Sequence, residues 1–148
     1  MNKILNSLAK DLRKEYPRSP HETLAGYVIA SRMLDKCRAL VNSTNGEYHF
    51  DCPLDGFFLN FSGISSLAFK HLVESGANDE EVAAWITEQS HHSEDTIKLW
   101  NLKMRQTRIT ELPIQLQLFL ECYIRKSIPE NRRIYTWFDV YDIEEGRI

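Results

Sequence analysis

One stretch decides the predicted fold of this chain: YPRSPHETLAGYVIASRMLDKCRALVN, residues 16–42. Ser19 precedes Pro20, whose ring pushes the residue before it into extended geometry, and an N-cap residue adopts that geometry. Pro20 then falls at the first helical position, where its missing N–H costs nothing, and Glu22 can close a capping box with Ser19. The spacing therefore predicts a helix from Pro20 to about Asn42 with a fixed orientation at its start.

This predicted helix separates apolar from charged side chains. On a helical wheel, one broad arc is apolar and the opposite arc is polar. The apolar arc contains Tyr27, Ala30, Met33, Leu34, Cys37, Leu40 and Val41, and the polar arc contains Ser31, Arg32, Asp35, Lys36 and Arg38. We therefore expect one face to pack into a core and the other to present charge.

Helical signals also dominate on both sides of this stretch. Apolar residues at helical spacing before Pro17 predict a first helix over residues 2–15. Residues 47–51 are predicted to be extended. Pro53 fits the first turn of a helix and Gly63 fits its end, although the alternation of Phe57, Leu59 and Phe61 leaves a strand over these residues as the alternative. We prefer the helix.

Further helix starts are marked by capping residues. Ser65, Asn78 with Glu81, Ser93 and Thr136 each stand before an apolar pattern of helical period. A late helix that contains Leu116, Phe119, Leu120 and Tyr123 must end near Pro129. No linker or repeat interrupts this series. The sequence predicts an all-α fold, a single compact multi-helix domain over residues 1–148.

Composition and charge limit the function. The chain has 148 residues, 43% of them apolar, and a net charge of -3, as in a soluble globular domain. Residues 1–46 carry eight Lys or Arg against four Asp or Glu, and the rest carry ten against seventeen. Because the acidic part repels phosphate, we expect no nucleic-acid partner. Residues 1–7 lack the apolar segment of a signal peptide, and no apolar run approaches the ~18 residues of a membrane span, so we expect a cytoplasmic protein with no membrane partner.

A cluster of cationic and aromatic residues is the candidate binding site. Arginine presents a planar fork of donors that matches carboxylate or phosphate, and tyrosine adds a wall and a hydroxyl. The candidate ligand-binding residues are Tyr16, Arg18, Arg32, Lys36, Arg38 and Tyr48. The alternative is pairing within the chain, because Asp35 stands three residues from both Arg32 and Arg38. We expect the site to bind a small anionic molecule or a protein partner.

An enzyme that acts on a small polar metabolite is the alternative function. Asp35 or Asp55 would then act as the acid or base. Cys52 with His49 suggests a nucleophile, but on an extended segment these two side chains project to opposite faces, which favours Cys52 as a core residue. The three cysteines are odd in number and far apart, so we expect no disulfide framework.

No metal or cofactor is predicted. The adjacent His91 and His92 diverge by about 100° on a helix, whereas chelating pairs are spaced three or four apart. The acidic residues near the end lack the spacing of a calcium loop and are predicted to be solvated; they are Asp139, Asp142, Glu144 and Glu145. No glycine-rich phosphate loop or dinucleotide fingerprint occurs in the sequence.

The order of these motifs resembles a bacterial family that is known as a domain of unknown function, DUF5069. The resemblance covers most of the chain. It is carried by Tyr16–Pro20 with Glu22, Leu24, Gly26, Tyr27, Arg32, Leu34–Lys36 and Arg38, by Tyr48, Cys52–Asp55, Gly63, Ile64, Asp79–Val82 and Trp85, and by Thr136–Asp139 and Glu145–Arg147. The resemblance implies a bacterial setting and carries no mechanism.

Overall fold

The computed structural model describes residues 3–148 and is mainly helical. In chain order its elements are α1 (Lys3–Leu8), β1 (Thr23–Leu24), β2 (Tyr27–Val28), α2 (Ala30–Val41), α3 (Pro53–Ser62), α4 (Ser66–Glu74), α5 (Asp79–Gln89), α6 (Glu94–Gln106), a 3-10 helix (Ile109–Glu111), α7 (Ile114–Ser127) and α8 (Trp137–Glu144). The predicted helical class is confirmed, with a small two-stranded sheet in addition.

The chain forms two compact units, one that ends at Ile97 and one that begins at Lys98. The prediction of one domain over residues 1–148 stays a prediction. Within residues 3–148, none of the helices combines the length and the apolar character that crossing a lipid bilayer requires.

The prediction that a helix runs from Pro20 is wrong. α2 begins only at Ala30, because β1 and β2 first form an antiparallel hairpin that pairs Leu24 with Tyr27. The two loop residues between them, Ala25 and Gly26, both have positive φ, 53° and 84°. Two positive φ angles in a two-residue loop are typical of a type I′ turn, which joins twisted strands and cannot continue a helix.

Only one of the two predicted capping-box bonds forms at Ser19, because the Glu22 N–H donates to the Ser19 carbonyl and not to the Ser19 side chain. The Ser19 N–H donates to Glu22 Oε2 at 3.0 Å, and the His21 N–H donates to Ser19 Oγ at 3.2 Å. These bonds close an isolated turn that leads into the hairpin. Capping chemistry therefore fixes the path of the chain here without starting a helix.

Ile29 joins the hairpin to α2 in a strained conformation. Its φ is 73°, a left-handed value that a β-branched residue rarely adopts and that costs roughly 1–3 kcal/mol. The side chain is fully buried, and the Ile29 N–H donates to the Pro20 carbonyl at 2.9 Å. Packing and this bond together hold the residue in place.

The first helix is also shorter than predicted. α1 ends at Leu8, and residues 9–15 form irregular structure and a turn, while residue 2 lies outside the described residues. The Leu12 N–H donates to the Thr44 carbonyl at 2.8 Å, and Thr44 Oγ1 donates to the Lys10 carbonyl at 3.1 Å. These bonds hold residues 10–12 beside the segment that follows α2.

Residues 47–51 are not extended, contrary to the prediction. They form turns and irregular structure that end at Asp51, whose φ is 62°. The Asp51 N–H donates to Asp55 Oδ2 at 2.9 Å, across the start of α3. The segment is therefore held by a hydrogen bond to a side chain of α3 and not by pairing with a strand.

The other predicted helix boundaries are confirmed. α3 starts at Pro53 and ends before Gly63, which has a φ of 76°, so the strand alternative for residues 57–61 is wrong. The side chain of Ser65 caps α4, and Asn78 and Glu81 form the predicted capping box of α5. Listed by element, the remaining boundaries are Ser93 before α6, Ser127 at the end of α7 and Thr136 before α8.

Aromatic side chains form much of the core in the first unit. Tyr27 packs edge-on against Phe58, with 5.2 Å between the ring centroids, and Phe69 packs edge-on against Trp85 at 6.2 Å. Tyr27, Phe58 and Phe69 are almost completely buried. The apolar face of α2 is buried with them, and its charged residues are buried as well, so the expectation that the opposite face presents its charge is wrong.

In the second unit, apolar residues of α8 pack beside the end of α7. Val140 and Ile143 cluster with Ile128. The prediction that the acidic residues near the end are solvated is wrong for Asp142 and Glu145, which are buried and paired with Arg147. Burial of a carboxylate is tolerated here because a guanidinium accompanies it.

Candidate functional site

Charged side chains from four separate segments of the first unit line a cavity of about 620 Å³. Its walls come from α1, from the loop that contains Arg18, from α2 and from the start of α5. The lining residues are Ser7, Leu8, Lys10, Arg18, Asp35, Arg38, Asn78, Asp79 and Glu80. Three are cationic and three are anionic, so the cavity is suited to polar ligands.

Arg18 forms a bidentate ion pair with Asp35. Arg18 Nε donates to Oδ2 at 3.1 Å and Nη2 donates to Oδ1 at 3.0 Å, while the Arg18 backbone N–H donates to Oδ2 at 2.8 Å. Burial by itself would lower the pKa of the guanidinium, but the hydrogen bonds and charges of Asp35 and Asp79 raise this pKa above its ordinary value. Arg18 is therefore charged and held in one orientation.

Asp79 joins two arginines. Its Oδ2 accepts from Arg18 Nη1 at 2.8 Å, and its Oδ1 accepts from Arg38 Nη1 at 2.7 Å. Burial by itself would raise the pKa of the Asp79 carboxyl, but the hydrogen bonds and charges of Arg38 and Arg18 hold it below its ordinary value. Arg38 Nη2 also donates to the Ala77 carbonyl at 3.0 Å, which ties α2 to the start of α5.

Lys10 completes this set of charges. Its Nζ lies 3.7 Å from Asp35 Oδ2, the same oxygen that Arg18 Nε contacts. We call the connected side chains of Lys10, Asp35, Arg18, Asp79 and Arg38 the charged network. It contains three positive and two negative charges. Arg18 keeps one N–H on each terminal nitrogen outside the bonds described above.

Arg32 and Tyr48 support this network from outside the cavity. Arg32 is buried, its Nη1 donates to the Arg18 carbonyl at 3.2 Å, and its guanidinium lies 5.7 Å from the centre of the Tyr48 ring. Tyr16 is exposed, and its carbonyl accepts from Lys10 Nζ at 3.3 Å. None of these three side chains lines the cavity, and Arg32 instead positions the backbone of Arg18.

Lys36 and Asp55 form a second, closed cluster. Lys36 Nζ lies 2.9 Å from Asp55 Oδ1 and 3.1 Å from Cys52 Sγ, and both charged side chains are buried. Successive helix positions differ by about 100°, so Lys36 leaves α2 on a different side from Asp35. The structure therefore separates Lys36 and Asp55 from the cavity. Cys52 meets an ammonium rather than the His49 that the sequence suggested.

The sequence left open that Asp35 pairs with its neighbours along α2, but the structure shows different ion pairs. Asp35 pairs with Arg18, and Arg38 pairs with Asp79 rather than with Asp35. Of the two candidate acids or bases, Asp35 reaches the cavity as part of an ion pair, and Asp55 is enclosed with Lys36. Both carboxylates are thus held by cations.

The described residues contain no group of three or more His, Cys, Asp or Glu that could hold a metal ion. His92 stacks on the Phe61 ring with 4.0 Å between centroids, and its Nε2 lies 2.6 Å from the Phe61 carbonyl oxygen. The cysteines of the described chain, Cys37, Cys52 and Cys122, are all free. Burial raises the pKa of the Cys37 thiol to about 12, so that thiol stays protonated.

Sequence reasoning missed three charged lining residues, which are Lys10, Asp79 and Glu80. Lys10 was assigned to a helix that ends before it, and the acidic start of α5 was explained by capping alone. One available signal was that Asn78 and Glu81 complete the capping box, which leaves Asp79 and Glu80 without a role there. No spacing in the sequence indicates that Asp79 meets Arg18, 61 residues away.

Comparison with known proteins places the chain in a family. A search of curated proteins gives no match. The family described as Domain of unknown function (DUF5069) matches residues 14–147. The matched range includes four members of the charged network and leaves Lys10 outside it. Because the match covers most of the chain and agrees with the motif order noted above, this protein belongs to the DUF5069 family.

Proposed function

We propose that the first unit binds a small ligand through an anionic group, a carboxylate or a phosphate, at the charged network. The observation that carries this proposal is the charge of the network, one positive charge in excess, beside a cavity. The two remaining N–H groups of Arg18 and the ammonium of Lys10 are donors of residues that line the same cavity. Such donors match the oxygens of a carboxylate or phosphate.

The two aspartates fix the orientation of the Arg18 side chain before a ligand binds. Asp35 and Asp79 hold Arg18 by hydrogen bonds to all three guanidinium nitrogens. A ligand therefore does not have to order that side chain, which lowers the entropic cost of association. Three charge-assisted hydrogen bonds at ~2 kcal/mol each, set against an association cost of ~4 kcal/mol or more, predict weak binding, on the order of tens of millimolar or weaker.

Ion pairing favours recognition over acid–base catalysis at this site. A general acid or base must exchange a proton with the substrate. Asp35 receives three hydrogen bonds from Arg18, and Asp55 lies against Lys36 away from the cavity. These contacts support a binding module, and enzyme activity with either carboxylate is the less supported alternative.

The proposed setting is the cytoplasm of a bacterium. The free thiols of Cys37, Cys52 and Cys122 support a reducing compartment. The bacterial part of the proposal rests on the family resemblance.

Thermal shift with matched lysine variants tests the binding proposal. Acetate, succinate and inorganic phosphate are titrated at constant ionic strength into the native protein, Lys10→Ala and Lys14→Ala. Ligands that bind the native state raise the melting temperature with the logarithm of their concentration once it exceeds the dissociation constant. Lys14 is exposed and does not line the cavity, so it controls for the loss of one surface charge.

We expect at least one of these anions to stabilise the native protein and Lys14→Ala equally, and to bind Lys10→Ala several-fold more weakly. Arg18 is not the first choice for substitution, because its loss leaves Asp35 and Asp79 poorly paired and perturbs the fold. Stabilisation of equal size in all three proteins would contradict the proposal, as would the absence of any anion-dependent shift.

A further inference from the structure

Glu80 is the charged lining residue that does not belong to the charged network. It is exposed on α5, next to Asp79, and makes no ion pair with the residues that the structure describes. The capping box of α5 is already complete through Asn78 and Glu81. Glu80 therefore presents a carboxylate to the cavity that the start of the helix does not need.

With Glu80, the described residues of the lining carry three positive and three negative charges. The excess positive charge of the network lies beside Lys10 and Arg18, and Glu80 places a separate negative charge on the same cavity. A ligand that carries only an anionic group meets the donors but also the repulsion of Glu80. A ligand with a second, cationic group satisfies both, because complementary charges across an interface favour binding and like charges oppose it.

The lining also limits the rest of the ligand. None of the described residues that line the cavity is aromatic, and Leu8 is the apolar one among them. Nucleobases bind by stacking on aromatic planes. A nucleotide therefore fits this cavity poorly, whereas a short aliphatic molecule with charged ends fits it well.

We infer that the ligand is a zwitterion of amino-acid or small-peptide size, with its carboxylate at Lys10 and Arg18 and its ammonium at Glu80. This inference rests on the proposed function and adds the cationic group. Cavities of about 620 Å³ lie in the range that holds small organic ligands.

Sets of probes with a common carbon chain test the inference. The zwitterions are glycine, γ-aminobutyrate and ε-aminocaproate, which span different separations of the two charges. Each is compared with the acid that lacks the amine and the amine that lacks the acid: acetate and ethylamine, butyrate and butylamine, caproate and hexylamine. Affinities are measured by thermal shift and calorimetry in the native protein, Glu80→Gln and Glu88→Gln. Glu88 is an exposed glutamate of the same helix outside the lining.

We expect at least one zwitterion to bind about fivefold more tightly than its matched acid, as a partly exposed ion pair allows. Glu80→Gln should remove this advantage without weakening the acid, while Glu88→Gln should retain it. Acids that bind through Lys10 as tightly as the zwitterions overturn the inference and leave the proposed function standing. An advantage that survives Glu80→Gln also overturns it. Binding of neither acids nor zwitterions contradicts the proposed function itself.

Discussion

Two groups of charged side chains include residues of α2, and they differ in whether hydrogen-bond donors remain accessible to a ligand. Asp35 and Arg38, whose side chains are 5% and 4% exposed, belong to the charged network, in which the side chain of Arg18 is 24% exposed and that of Asp79 is 45% exposed. Lys36 belongs to the closed cluster, where its side chain is 4% exposed and that of Asp55 is 0% exposed. One position along the helix separates Asp35 from Lys36.

The difference in exposure indicates which charged side chains stabilise the fold and which can bind a ligand. In the closed cluster no solvent competes for the ion pair, and neither partner can reach a ligand. Removing one member of such a pair leaves an uncompensated buried charge. In the charged network each carboxylate is shared between cations, and donors remain at the cavity. Stability should therefore depend mainly on the closed cluster, and ligand affinity mainly on the network.

The largest expected effect is that of Asp55→Ala. The substitution leaves the Lys36 ammonium buried without its carboxylate and also removes the acceptor of the Asp51 N–H. We expect the free energy of unfolding to fall by about 3–5 kcal/mol. Urea denaturation at neutral pH measures this loss.

A double variant separates lost charge pairing from lost packing. Lys36→Met with Asp55→Leu removes both charges and fills the space with apolar groups, so it should recover most of the stability that Asp55→Ala loses. Ligand affinity of the folded double variant should match that of the native protein. A loss below about 1 kcal/mol in Asp55→Ala would show that the cluster is not closed to water.

An intermediate effect is expected for Asp79→Asn in the charged network. Asparagine keeps one carbonyl oxygen but cannot accept from both Arg18 and Arg38 with a full charge. Because Asp79 is partly exposed, solvent screens its ion pairs, and we expect a loss of about 1 kcal/mol at neutral pH. Unlike Asp55→Ala, this variant should also weaken anion binding, since Arg18 is less well held.

The contribution of Asp79 to the free energy of unfolding should decrease as the pH falls. The pKa of Asp79 in the folded protein lies below its ordinary value of 3.8, so the folded state binds fewer protons than the unfolded state in this range. The stability that Asp79 contributes is complete above about pH 4 and is lost as the pH falls through the folded pKa. Unfolding curves of the native protein and Asp79→Asn should therefore converge on acidification. A constant difference down to pH 3 would contradict this.

The smallest effect, and a stabilising one, is expected for Gly56→Ala. Gly56 lies inside α3, next to Asp55, and a Cβ built there meets no atom within 4 Å. Alanine loses less backbone entropy in a helix, so we expect a gain of about 0.5–1 kcal/mol in chemical denaturation. Anion affinity should not change, because α3 does not line the cavity. Lower stability would indicate that this helix start needs a flexible residue.

Those helices whose boundaries depend on local chemistry were predictable from the sequence. Pro53 and Gly63 bound α3, and Asn78 with Glu81 starts α5, because capping requires only neighbours in the chain. The region around Ser19 was mispredicted, although one of its two predicted capping-box bonds forms. A hairpin with a two-residue loop forms there in place of the predicted helix, because contacts with residues distant in the sequence stabilise it. Helix propensity alone does not indicate such contacts.

The candidate site was predictable in part for the same reason. The sequence correctly singled out Arg18, Asp35 and Arg38 as charged residues that the fold brings together. Tyr16 and Tyr48 do not line the cavity, since their positions depend on irregular segments on either side of α2. Lys10 and Asp79 were missed because only tertiary structure brings them to α2.

The bulky residue at the entrance to α2 has a consequence for how this helix is oriented. Burying an isoleucine side chain is worth roughly 1.5–3 kcal/mol, similar to the penalty that Ile29 incurs through its backbone. Volume, rather than conformational preference, therefore selects the amino acid at this position. A smaller side chain would relax the bend, and the direction in which Asp35 and Arg38 leave the helix would then drift.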